Sequence, residues 1–177
     1  MAVLNEEQEM LRDMAREWTV NESPVTEFRK VRASGEPEAF NRDAYATMAQ
    51  MGWAGVIIPE EHGGSDFGFL SAGLVVEELG KTLTASPLVM NTVAASAIVL
   101  GGSDEQKARW LPRLASGEAI ATLAVDEGPS HDPAKIETSV SDGKLSGTKA
   151  FVHEAHGADL FVVAAKDGLY LVEKGDG

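Results

Sequence analysis

Along the first two thirds of the chain, apolar residues recur at intervals of three and four; along the last third they alternate with polar ones. The first spacing belongs to amphipathic helices and the second to half-buried strands. Asn5 with Gln8 forms a capping-box pattern ahead of Met10, Leu11, Met14, Ala15 and Trp18, which predicts a helix from Asn5 to Trp18. Ser23 as a cap with Pro24 in the first helical position predicts a second, ended by Gly35 and Pro37. Asn41 caps a third, which stops near Gly52 before the apolar run Trp53 to Ile58.

The breakers and polar groups of Pro59 to Ser65 predict a loop, and Ser65 or Asp66 is placed to cap a helix through Leu70, Leu74, Val75 and Leu79 that stops at Gly80. Ser86 to Leu100 is almost wholly apolar, which predicts a central helix buried on nearly all sides and ended by Gly101-Gly102. Ser103 with Gln106 repeats the capping-box pattern, and Pro112 predicts a break or restart in the helix that follows.

After Gly117 the period shortens to two. The strands expected are Ile120–Val125, Ile136–Val140, Lys144–Val152, Leu160–Ala165 and Leu169–Val172, with hairpin turns at Asp142-Gly143 and Asp167-Gly168. The fold class is therefore α+β: an all-α domain over residues 1–117, then an incomplete antiparallel β-barrel or sandwich over 118–177. Because sheet edges are normally paired or covered, further C-terminal residues or a partner are expected to complete the strand region.

Charge narrows the range of partners. Fifteen Lys and Arg against 28 Asp and Glu leave a net charge of −13, so most of the surface repels polyanions and nucleic acid is not an expected partner. The absence of cysteine removes disulfides, thiol catalysis and cysteine-ligated metals. Met1 to Glu7 has neither a basic nor an apolar leader region, and no stretch approaches the roughly 18 apolar residues of a membrane span; a cytoplasmic location is expected.

Candidate chemistry is sparse. His62, His131, His153 and His156 include one i, i+3 pair at an expected strand end, which does not make a metal site. Gly63-Gly64-Ser65 lacks the lysine and spacing of a phosphate loop and reads as a turn with a helix cap. Ser130-His131-Asp132 holds a triad's residue types at a spacing that forbids triad geometry. Glu77-Glu78 reads as a solvated helix face, and Trp18, Trp53 and Trp110 as core.

Taken together, IPEEHGG (Ile58 to Gly64), VEELG (Val76 to Gly80), SDEQKARWLPRLASGE (Ser103 to Glu118), LSGTKAF (Leu145 to Phe151) and ADLFVV (Ala158 to Val163) resemble the acyl-CoA dehydrogenase family, over residues 4 to 173. The resemblance implies a helical domain, a middle β-domain and a C-terminal four-helix domain absent from this chain, with FAD between the last two. It implies α,β-dehydrogenation of an acyl-CoA thioester to a trans-2-enoyl-CoA, as in fatty-acid β-oxidation, with no catalytic residue in this chain because the glutamate base belongs to the absent domain.

For the cofactor, the resemblance implies backbone contacts from Leu123, Val125 and Asp126, an aromatic at Phe151, and His153 in place of a hydroxyl residue near flavin N5. Asp126 stands where the family carries threonine, and Asp132, on the substrate side, where it carries serine; a carboxylate only accepts hydrogen bonds. The partners implied are an acyl-CoA, an electron-transfer flavoprotein or similar acceptor, and further subunits in a homodimer, homotetramer or heteromer. Three readings stand: a divergent dehydrogenase, a non-catalytic subunit paired with a flavin-bearing homologue, and a stand-alone binding module.

Overall fold

The computed structural model describes residues 4–175, so the first three residues of the expected helical domain and the Asp176-Gly177 end of the strand region lie outside the description. The helices are α1 Glu6–Glu22, α2 Val25–Ser34, α3 Arg42–Gln50, α4 Gly68–Lys81, α5 Leu88–Gly101 and α6 Asp104–Ala115. The strands are β1 Ala121–Ala124, β2 Ser139–Ser141, β3 Lys144–Ser146, β4 Leu160–Ala165 and β5 Gly168–Glu173.

Local chemistry sets most helix starts. Asn5 and Ser103 each close a reciprocal capping box, with Gln8 and Gln106, and the Asn41 side chain accepts from the amides of Asp43 and Ala44. Other expected boundaries are corrected. α1 runs one turn past Trp18, to Glu22. Pro24 is itself the cap of α2, and the Ser23 hydroxyl instead bonds the Thr84 hydroxyl, tying the end of α1 to the turn after α4. Neither Ser65 nor Asp66 caps α4, whose cap is Phe67 with no side-chain bond. Pro112 lies inside α6 without ending it; the lost N–H costs one hydrogen bond, and burial of Trp110, Leu111, Leu114 and Ala115 holds the helix through it.

The three tryptophans are buried, and Trp18 meets Trp53 edge to face at 5.5 Å. Glu78 corrects the reading of Glu77-Glu78 as a solvated face: it is 1% exposed, and its Oε1 accepts from Arg16 Nη2 at 3.2 Å and Lys81 Nζ at 2.8 Å, joining α1 to α4. α5 is not buried all round either. Leu88, Asn91, Ala94, Ala95 and Ile98 face the core, whereas Val89, Val93 and Leu100 are exposed.

The strands form two sheets, neither of them closed: β1-β4-β5 and the hairpin β2-β3. The expectation of a purely antiparallel region is corrected by β1, which pairs parallel to β4 with Ala121 beside Leu160. A parallel pair needs a long crossover, and residues 125–159 supply it. The expected strands Ile136–Val140 and Lys144–Val152 shrink to three residues each, joined by an Asp142-Gly143 turn with both φ values positive. The loop between β4 and β5 is Lys166-Asp167, one residue earlier than expected, because Ala165 pairs with Gly168.

One apolar core crosses from helices to sheet, running from Leu11 and Trp18 through Ile98 and Leu114 to Ala121, Leu160 and Val162. Polar bonds fix the junction. Asn91, fully buried on α5, accepts from the Ala121 amide at 3.0 Å, and Asp159 accepts from the Ile120 amide at 3.0 Å. β1 is thereby held against the helical layer at a set height, with its other edge turned toward residues 149–153.

Candidate functional site

Residues 149–153 run past β1 and its extension in the opposite direction. The Thr122 hydroxyl donates to the His153 carbonyl at 2.7 Å, the Ala150 amide donates to the Asp126 carbonyl at 2.7 Å, and Lys149 Nζ donates to the Val125 carbonyl at 2.9 Å. Two stretches about 25 residues apart in sequence thus become neighbours, and they are the stretches holding Leu123, Val125 and Asp126 on one side and Phe151 and His153 on the other. The crossover folds back on β1 because these polar bonds take the place of a strand ladder that the Gly147 to Phe151 sequence does not form.

Within this arrangement Leu123 is partly buried against the core and Val125 and Asp126 are half-buried. Phe151 is 71% exposed and carries φ +53°, a backbone conformation that bulky residues rarely adopt. Glu154, three residues on, has φ +57°, and burial pushes its carboxyl above the ordinary range against the opposing pull of His153. Strain of this kind costs on the order of 1–3 kcal/mol per residue and clusters where ligands bind.

A cavity of about 260 Å³ adjoins the end of β1, lined by residues that include Asp126, Gly128, Ser130, Asp132 and Lys135. Asp126 and Asp132, the two carboxylates that the resemblance aligns with hydroxyl residues, each lie beside a basic side chain in the same loop. Asp126 Oδ1 lies 2.7 Å from His131 Nδ1, and Asp132 Oδ2 lies 2.8 Å from Lys135 Nζ. His131 and Lys135 are themselves well exposed, so the loop offers nitrogen donors beside the cavity.

In the same loop, and lining the same cavity, Glu127 gathers four donors. Its carboxylate accepts from the amides of Glu137 and Thr138, from the Thr138 hydroxyl and from Lys149 Nζ at 2.7 Å. Lys149 first, then the Thr138 hydroxyl and the two amides, hold its carboxyl down to about 2. Sequence reading missed Glu127, since its partners lie 10 to 22 residues away; the one available signal was an acidic residue between Asp126 and Gly128 in a chain stretch otherwise expected to face an anion.

Other sequence candidates resolve simply. In the Gly63-Gly64-Ser65 turn the amides of Gly63, Gly64, Ser65 and Asp66 already donate to Glu60, Pro59, Gly55 and Ile58 carbonyls, which leaves no amide to cradle a phosphate. A Cβ at Gly64 would stand 2.0 Å from the Ile58 oxygen, so close packing is the reason for that glycine. Among the described residues no three His, Asp or Glu side chains gather as a metal site, and no helix is long and apolar enough to cross a membrane.

Comparison with known proteins covers nearly the whole chain. The family described as acyl-CoA dehydrogenase, N-terminal domain, matches residues 5–118. The acryloyl-CoA reductase (NADH) of Anaerotignum propionicum is 32% identical over 97% of this chain and 47% of its own length. Two solved structures superpose closely: an acyl-CoA dehydrogenase from Bacillus anthracis complexed with FAD (27% identity, TM-score 0.82, 97% of this chain and 32% of that one) and the ChsE4-ChsE5 complex from Mycobacterium tuberculosis (26% identity, TM-score 0.85, 99% and 50%). The chain spans about half the length of the curated relatives it matches, or less. With a helical layer matched as a unit and a strand region that superposes along with it, the chain belongs to the acyl-CoA dehydrogenase family.

Proposed function

We propose that this chain is the N-terminal share of an FAD-dependent acyl-CoA dehydrogenase, with residues 1–117 as the helical domain and 118–177 as part of the β-domain that holds one side of the flavin. The observation that carries the reading is the antiparallel approach of Leu123–Asp126 and Ala150–His153, which puts every residue assigned to the cofactor on one stretch of surface. The residues present suit such a group: half-buried backbone at Val125 and Asp126, an exposed aromatic at Phe151, and an adjoining cavity in which Asp126 lies beside His131 and Asp132 beside Lys135. When bound, FAD would supply hydride-accepting chemistry, converting an acyl-CoA to its trans-2-enoyl-CoA.

The chain's own part is holding and orienting. Leu123, Val125 and Asp126 would offer backbone groups, Phe151 a ring face, and His153 an imidazole donor; His131 and Lys135 would meet coenzyme phosphates beside Asp132. The α-proton would be removed by a base outside these residues. A similar protein is named an acryloyl-CoA reductase, which supports redox chemistry on an acyl-CoA thioester. The electron acceptor, an electron-transfer flavoprotein or similar protein, and assembly into a homo-oligomer are parts of the same proposal.

Purified full-length protein is expected to carry a flavin absorption band that bleaches when a saturated acyl-CoA is added without oxygen. Colourless protein that takes up no added FAD would rule the reading out. A second reading, a flavin-free subunit beside a flavin-bearing homologue, is favoured by the carboxylates at Asp126 and Asp132, and a similar structure is a two-protein complex. Reconstitution with FAD and turnover by a single gene product would exclude it.

A further inference from the structure

Three segments cross at Glu127: the end of β1 extended through Val125 and Asp126, the approach to β2 at Glu137 and Thr138, and the approach to Phe151 at Lys149 and Ala150. Lys149 is nearly buried and spends two of its three donors on the Val125 carbonyl and on Glu127 Oε1. Burying an ammonium group is costly unless it is paired and hydrogen-bonded, so a fold that keeps one here depends on its partners being in place. The chain also makes room for the crossing. At Gly147 a Cβ would stand 2.2 Å from the Thr138 hydroxyl oxygen, so only glycine lets the third segment come this close to the second.

We infer that Glu127 and Lys149 are positioning residues for the cofactor site: their ion pair, braced by the Glu137 and Thr138 amides, fixes the Val125-Asp126 backbone at its distance from Ala150 and thereby sets the spacing of the two stretches assigned to the flavin. The inference rests on the flavin reading proposed above. Neither side chain needs to touch the cofactor. Their influence passes through the Val125 carbonyl, which Lys149 holds directly, and through the Asp126 carbonyl, which receives the neighbouring Ala150 amide. Without Lys149, Val125 loses its side-chain donor and Glu127 its cation, and a strand edge free to shift by even an ångström no longer matches a rigid planar ligand.

The test uses full-length protein, FAD titration by flavin fluorescence, and thermal unfolding without FAD. Lys149→Met is expected to raise the FAD Kd about tenfold or more, the scale of one lost charge-assisted hydrogen bond, and to move the visible band of bound flavin toward its position in free solution. Lys149→Arg, which keeps the cation, is expected to recover binding to within about threefold of the parent. Ser103→Ala serves as the control, since it removes a helix cap away from the crossing and should lower the melting temperature with the FAD Kd unchanged. If Lys149→Met does not fold, the isosteric Glu127→Gln decides, with an expected weakening of about three- to tenfold. Lys149→Met or Glu127→Gln binding FAD within about twofold of the parent, with the band unmoved, would overturn the inference while leaving the flavin reading intact. A parent protein that binds no FAD would overturn both.

Discussion

Glu78 in the helical half and Glu127 in the strand half are both buried, wholly or in part, and ion-paired, and the two are held differently. Glu78 takes Arg16 from α1 and Lys81 from its own helix, both half exposed, so it staples two regular elements whose positions the apolar core already determines. Burial pushes its carboxyl up, but the bonds from Lys81 and Arg16 outweigh that and leave it below the ordinary carboxylate range. Glu127 takes backbone amides and a nearly buried lysine, and the segments it joins are loops. Helices carry their own hydrogen bonds and need only packing; loops beside a candidate site have no ladder, and a charged side chain supplies their missing partners. The contrast shows that apolar burial specifies the helical half and the sheet packed on it, while polar bonds specify the crossover loops beside the candidate site.

Substitutions can break that contrast, and the largest effect is expected in the helical half. Trp53→Ala should cost about 3–5 kcal/mol in equilibrium urea denaturation, because a fully buried ring is lost from the centre of the shared core. A loss under about 1 kcal/mol would mean the core is not the main determinant there. Next, Asn91→Ala should cost about 2 kcal/mol, since the buried Ala121 amide at the helix-to-sheet junction loses its acceptor. An unchanged midpoint would break the claim that this asparagine sets the height of β1.

How far the sequence foretold this structure follows the same line. The caps Asn5, Asn41 and Ser103 were legible because a cap and its partner sit within three residues, and the strand Leu160–Ala165 because its apolar run is bounded by polar residues. Glu78 was not, since Arg16 lies 62 residues away and its neighbour Glu77 is indeed exposed. Parallel pairing of β1 was equally hidden: a four-residue strand does not announce its partner's direction, and the crossover that permits it has little regular structure of its own. For the site, family resemblance named Leu123, Val125, Asp126, Asp132, Phe151 and His153, but the bonds that bring the two stretches together, and the pairing of Asp126 with His131, are tertiary facts with no local pattern.

Smaller effects sharpen the contrast. Glu78→Gln should cost about 1 kcal/mol, since both cations that lose their partner can turn to water. Acid should act more locally. The Glu127 carboxyl is depressed from 4.5 to about 2, so its contribution is complete above pH 4.5 and is lost as the pH falls through about 2. Across that window the protection of the Glu137 and Thr138 amides, relative to their intrinsic exchange at each pH, should fall before the centres of α5 and α6 respond. Simultaneous release of all of them would contradict a strand half held by its own polar clamp.

The claim at the centre of this account is that Leu123–Asp126 and Ala150–His153 form one surface for a flavin. Hydrogen–deuterium exchange of the full-length protein with and without FAD tests it most directly. Added protection is expected in both stretches at once, with α1 to α3 unchanged; protection confined to one stretch, or appearing only elsewhere, would contradict a shared flavin surface.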